Sequence, residues 1–214
     1  MSHLRQILLQ HIAAELGSLF PTLLEDYLAA KYEACQAYSE AHLDRVLHAR
    51  ANGSLQQLHI LQEVVRAAQK ANLPAEMAPT SPRGHHYAKI TLERFVLGGM
   101  RLESSHWSSA KYAKSLAQLN TALEPVTPDL FAAVSDGQPG DRIFVVVAVA
   151  ENPLNHGPEI IFAVPFSSRQ GFHFSFTLEE VRQAALTPAQ ADALEPLPVL
   201  KKRLDEAEPQ TKQA

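Results

Sequence analysis

The sequence predicts an α+β fold: an N-terminal helical region of about three helices, then a mainly antiparallel sheet of about five strands with flanking helices. Three observations carry that reading. Up to about residue 73 the apolar residues recur at spacings of three and four, the signature of amphipathic helices. From Leu73 to Gly84 the composition shifts to Pro74, Pro79, Pro82, Thr80, Ser81 and Gly84, with few bulky apolar groups. Beyond it the period drops to two, as in half-buried strands. The implied organisation is a helical region over 1–73, a semi-rigid connection over 74–84, an α+β domain over 85–198 and a charged tail over 199–214 expected to fray.

The first helix places Leu4, Ile7, Leu8, His11, Ile12 and Leu16 on one face, with Gly17 as its stop. Pro21 suits the first turn of a second helix, and no Gly or Pro interrupts the chain from there to Arg50. Leu24, Tyr27, Leu28, Tyr32, Cys35 and Tyr38 follow at helical spacing, and Leu43, Val46 and Leu47 prolong the pattern. Nearly 30 residues would give a rod of about 40 Å. Asn52-Gly53 reads as a turn, and Ser54 as the cap of a third helix with the stripe Leu55, Leu58, Leu61, Val64 and Val65.

In the second half, Ala88, Ile90 and Leu92 alternate with Lys89, Thr91 and Glu93. Gly98-Gly99 is expected to form a tight hairpin turn, with Met100, Leu102 and Ser104 returning. A helix with the face Tyr112, Leu116, Leu119 and Leu123 follows, then a short helix after Thr127-Pro128. Ile143 to Val149 is apolar on both faces and belongs at the centre of the sheet. Ile160 to Pro165 is the next strand. In the last, Phe172, Phe174 and Phe176 point one way and His173 and Ser175 the other. Thr177 and Glu180 form a capping box for a final helix. Val145, Val147, Phe162, Val164, Phe174 and Phe176 are the expected core.

Composition bounds the function. Lys plus Arg number 19 against 23 for Asp plus Glu, a net charge of −4, which argues against a dedicated phosphate-neutralising protein. The longest apolar run, Ile143 to Ala150, is far below the roughly 20 residues of a membrane span. Arg5, Gln6, Gln10 and Glu15 fall where the apolar core of a signal peptide would lie, so a cytoplasmic location without membrane attachment is expected. A single Cys35 excludes an intrachain disulfide and a cysteine-based metal site. No His-x-x-x-His pair, Gly-x-x-x-x-Gly-Lys loop or Gly-x-Gly-x-x-Gly occurs, so neither metal nor cofactor is expected.

The catalytic candidates are His106 with Ser108 and His173 with Ser175. The two His-x-Ser motifs resemble the signature of the 2H phosphoesterases, and that resemblance implies phosphodiester cleavage by paired histidines with hydroxyls holding the phosphate. The second motif matches the strand pattern of that family, whereas the first runs into a helical pattern. Arg101 to His106 is also similar to the Arg-x4-His string of HEPN ribonucleases, but it follows the Gly-Gly pair in a β-rich half rather than lying on a helix of an all-α fold. Arg83, Lys89, Arg94, Arg101, Trp107 and Lys111 form a locally basic, aromatic stretch suited to nucleic acid, interrupted by Glu93 and Glu103. The leading expectation is a non-catalytic interaction or regulatory protein. Its helical region would meet a protein partner or a second copy through Tyr27, Leu28, Tyr32 and Tyr38, because tyrosine combines apolar area with a hydroxyl.

Overall fold

The computed structural model describes residues 3–80, 84–102, 110–124, 142–151 and 157–187. Helix α1 (His3–Leu16) ends where the sequence predicts. Gly17 takes φ 66°, the left-handed conformation that glycine adopts without strain, and its N–H reaches Ala13 O at 3.0 Å.

Helix α2 (Leu19–His42) and helix α3 (Arg45–Lys70) form an antiparallel hairpin, and its turn is not the predicted one. The chain bends at Leu43 and Asp44, where Asp44 takes the extended N-cap conformation with ψ 142°. Asn52, Gly53 and Ser54 instead lie inside α3. Their chemistry serves packing: Ser39 Oγ meets Asn52 Oδ1 at 2.5 Å, tying α2 to α3. A Cβ on Gly53 would lie 2.7 Å from Arg101 Nη1, so glycine lets the guanidinium close on the helix. The rod of nearly 30 residues is thus a 24-residue helix, and the next helix has 26.

The sheet has six strands in chain order: β1 (Ala75–Pro79), β2 (His86–Thr91), β3 (Phe95–Arg101), β4 (Ile143–Glu151), β5 (Pro158–Pro165) and β6 (Phe172–Thr177). The strand beyond the expected five is β1, which lies in the Pro-rich connection and pairs Ala78 with Tyr87. Every pairing is antiparallel except β3 with β4, which is parallel. A parallel neighbour requires a crossover. Helix α4 (Lys111–Ala117) and the 3₁₀ turn Gln118–Leu123 lie on it.

Gly98 and Gly99 sit in the middle of β3, not in a hairpin turn. The turn lies earlier, where Leu92 N donates to Phe95 O at 2.8 Å. A Cβ on Gly98 would approach the Tyr112 ring to 2.9 Å and the Phe144 ring to 3.1 Å. On Gly99 it would meet Val64 at 3.2 Å from the opposite side. The pair thins the sheet on both faces so that α4 and α3 can close on it.

The main core joins α1, α2, α3 and helix α5 (Leu178–Leu186) to one face of the sheet. On the other face α4 buries Ala113 and Ala117 against Met100, Phe144, Val146 and Ala148. Strand β4 is buried from Ile143 to Val149, as its two-sided apolar pattern requires. Val145, Val147, Phe162, Val164 and Phe176 are all buried, but Phe174 is only half-buried. Among the described residues its strand is the sheet's edge. The Thr177–Glu180 capping box is formed in full.

Two substitutions separate centre from edge. Phe162→Ala is expected to cost about 3–5 kcal/mol in urea unfolding. Phe174→Ala should cost roughly half as much, because less apolar area leaves water there.

Candidate functional site

Two regions hold the residues singled out by the sequence: the corner where β5 turns into β6, and the helical hairpin. At the corner, Phe174 and Phe176 pack on the main core, whereas His173 falls where the β5–β6 register shifts, between the pairs Val164–Phe174 and Pro165–Phe172, so the expected strict alternation is broken at the start of β6. The turn between the strands is closed by Phe166 N donating to Gly171 O at 3.0 Å. It folds the Phe166 ring edge-on against the His173 imidazole, centroids 4.3 Å apart. The His173 side chain is 8% exposed, and its Nε2 lies 4.0 Å from Glu124 Oε1, too long for a direct hydrogen bond. Burial pushes the imidazole below its ordinary pKa, and the Glu124 charge opposes that shift in part.

Glu124 is held in turn. Its Oε1 accepts from Ser167 N at 2.6 Å, and the element carrying it is anchored by buried Asn120. Asn120 Nδ2 donates to Phe144 O at 3.0 Å and Pro165 O at 2.9 Å, while its Oδ1 accepts from Phe144 N at 2.8 Å. The β4–β5 ladder ends at Val146 opposite Ala163, and Pro165, two residues on, has no N–H to extend it towards Phe144. Asn120 supplies the missing donor and pins the crossover to the end of the sheet. The corner therefore holds one imidazole, one carboxylate and the exposed Ser175 in a fixed frame. His106 and Ser108, the other half of the paired motif, lie outside the described residues. Among the described residues no group of three His, Cys, Asp or Glu is placed to hold a metal ion.

The basic residues are dispersed. Lys89 is beside Glu76 at 3.5 Å. Arg94 pairs at 3.6 Å with both Glu15 and Glu93. Arg101 reaches Gly53 on the α3 side of the sheet, whereas Lys89, two residues from Tyr87 and so on the same face as the Tyr87–Tyr112 stack, points to the α4 side. Tyr112 stacks on Tyr87 at 4.3 Å and donates to Gly99 O at 2.9 Å, so its ring face is occupied. Lys111 is the first residue of α4, and Arg83 and Trp107 lie outside the described residues. A shallow groove of about 360 Å³ between α1 and α5 contains Arg5 and Glu180, but these pair with each other at 2.7 Å.

In the hairpin, Leu28 and Tyr32 are core residues, 0% and 3% exposed, and cannot serve as a contact surface. Tyr27 is half-buried beneath the Arg66 guanidinium, 4.6 Å above its ring. Tyr38 alone of the four faces water, at 52% exposure. The structure adds Val46, Leu47 and Leu58, at 90%, 49% and 63%. Every residue from Glu40 to Ala51 keeps part of its surface in water, so the tip of the hairpin lies beyond the sheet's cover. The apolar count alone misassigns Leu58 to the core. The signal that identifies it is the spacing of four, three and four in Leu47, Ala51, Ser54 and Leu58, which defines a face separate from Ile60, Val64 and Ala67.

Comparison with protein-family models, curated proteins and solved structures finds no match to this chain. No single described helix is long and apolar enough to cross a membrane.

The depressed His173 pKa has a consequence for stability. Between its folded value and the unfolded value of about 6.5, the unfolded chain binds more protons, so this group's contribution rises with pH and is lost as pH falls through that window. His173→Phe is expected to flatten the rise in melting temperature with pH just below the unfolded value of about 6.5, relative to the parent. Parallel curves for the two proteins would contradict the assignment.

Proposed function

We propose that this protein is a non-catalytic interaction or regulatory protein, acting inside the cell through protein–protein contacts of its helical region. The observation that carries the reading is the exposed apolar set Tyr38, Val46, Leu47 and Leu58 on the projecting half of the α2–α3 hairpin. Scattered apolar surface is ordinary, but Tyr38, Val46 and Leu47 lie together at the tip of the hairpin, with Leu58 about 16 Å further along α3, and such a group marks a surface that gains by leaving water. The reading moves the contact from the sequence-derived set of four to Tyr38 and its neighbours on α3. A lone cysteine suits a reducing compartment.

The test is a photo-crosslinking residue at Val46 or Leu47, with Lys89 as a control surface, in cells that make the protein. Discrete adducts from the hairpin positions and none from position 89 are the expected result, with loss on introducing Leu58→Asp. Indistinguishable adducts from all three positions would refute the reading. The paired-histidine alternative has its own check: phosphodiesterase activity in the purified chain that disappears on His173→Ala with the fold intact would replace the interaction reading by an enzymatic one.

A further inference from the structure

We infer that Asn52 is a site of spontaneous covalent modification: the Asn52–Gly53 peptide deamidates when the first turns of α3 open, and the closed helix holds it unreactive. The sequence holds one Asn-Gly pair. In this chemistry the Gly53 backbone nitrogen attacks Asn52 Cγ. The Gly53 amide proton is lost, the new N–Cγ bond closes a succinimide ring and ammonia leaves. Water then opens the ring at one of its two carbonyls, giving aspartate or isoaspartate. Glycine obstructs the attack least, because it has no Cβ.

In the closed helix both reacting groups are engaged. Asn52 and Gly53 lie inside α3, so the Gly53 N–H is directed at Ala49 O. The ring also requires a ψ at Asn52 that a helix does not offer. Ser39 Oγ donates to Asn52 Oδ1 at 2.5 Å, which holds the side chain toward α2. The Arg101 guanidinium covers Gly53, with Nη1 2.7 Å from where a Cβ would stand.

The start of α3 is poorly held. Asp44 stands at the N-cap, but its side chain makes no capping bond, and the first turn has no acidic residue. That turn opens with Arg45, whose charge a helix N-terminus disfavours. Val46 is 90% exposed, and every residue from Glu40 to Ala51 keeps surface in water. The bonds from Leu47 N to Asp44 O and between His48 Nε2 and Leu43 O, both 2.8 Å, are internal to the tip. Asn52 and Gly53 are themselves poor helix formers. Such a segment opens locally while the sheet stays folded. Opening frees the Gly53 nitrogen and the Asn52 side chain together. Isoaspartate adds a carbon to the main chain, which breaks the helical repeat at position 52, so the change runs one way.

The test incubates the full chain in warm neutral buffer and digests samples with trypsin. Cleavage after Arg50 and Arg66 releases residues 51–66, in which Asn52 is the one asparagine. Mass and chromatography then count its amide, aspartate and isoaspartate forms. The folded chain is expected to react measurably, but more than about tenfold slower than the chain unfolded in urea. Dilute urea, below the unfolding transition, should barely change the folded rate, because local opening exposes little surface. Ser39→Ala should raise that rate roughly three- to tenfold by freeing the Asn52 side chain. Arg45→Glu should lower it about two- to fivefold by favouring the helix start. Arg45 is exposed, so this second variant carries the test if buried Ser39 proves necessary for folding. Equal rates in the folded and unfolded chains would show that α3 does not protect the peptide. No reaction in the folded chain, while the unfolded chain reacts, would show that α3 does not open there. A folded rate that climbs in dilute urea as steeply as global unfolding, or that Arg45→Glu leaves unmoved, would place the opening outside the start of α3. Each of these three results overturns the inference.

Discussion

The burial of β4 on both faces is the constraint around which this molecule is built. From Ile143 to Val149 each side chain leaves water, so the sheet needs cover above and below. On one side three long helices and α5 share a continuous core with the strands. On the other, among the described residues, the seven-residue α4 and the 3₁₀ turn after it pack on the strands, and Gly98 leaves out a Cβ that would meet the Tyr112 ring at 2.9 Å. The parallel pairing of β3 with β4 follows from the same demand. A direct hairpin would leave that second face bare, whereas a crossover carries α4 across it.

The same crossover frames the corner at His173. Asn120 is fixed because Pro165 leaves Phe144 without a ladder partner, and Glu124 hangs from the element that Asn120 anchors. A backbone deficit at the end of one strand thus decides where a carboxylate stands relative to an imidazole on another. The hairpin works the other way. Its proximal half is committed to the sheet, with Ile60, Val64 and Ala67 buried, and its distal half is left with water as its only described cover.

What was legible in the sequence depended on whether a pattern had one physical explanation. The two-sided apolar run of β4, the Gly17 stop and the Thr177 capping box each admit a single local reading, and each holds, whereas the alternation expected of β6 is interrupted by the register shift at Val164 and Pro165. A glycine in a turn-like dipeptide admits two, a positive φ or a missing Cβ. At Gly53, Gly98 and Gly99 the second applies, and it depends on Arg101, Tyr112, Phe144 and Val64, which are remote in the chain. The α3 face was hidden for a related reason. Polar Gln56 and Glu63 occupy buried positions while Leu58 is exposed, so counting apolar residues rotates the helix. Asn120, Glu124 and Phe166 carry no sequence signal, because their roles exist only once the strands are paired.

The contact between α1 and α5 sets a different kind of limit. Arg5 bonds Ser175 O at 2.8 Å and Glu180 at 2.7 Å and lies 4.8 Å from the Phe176 ring, joining residues 175 apart in the chain. The strands, by contrast, are laid down in the order in which the ribosome makes them, each beside its predecessor. During synthesis the sheet can therefore grow edgewise, and Glu15 of α1 can already reach Arg94 before α5 has emerged. The Arg5–Glu180 bond needs both ends of the described residues, so a molecule interrupted shortly before α5 keeps most of its strands while α1 lacks that one partner.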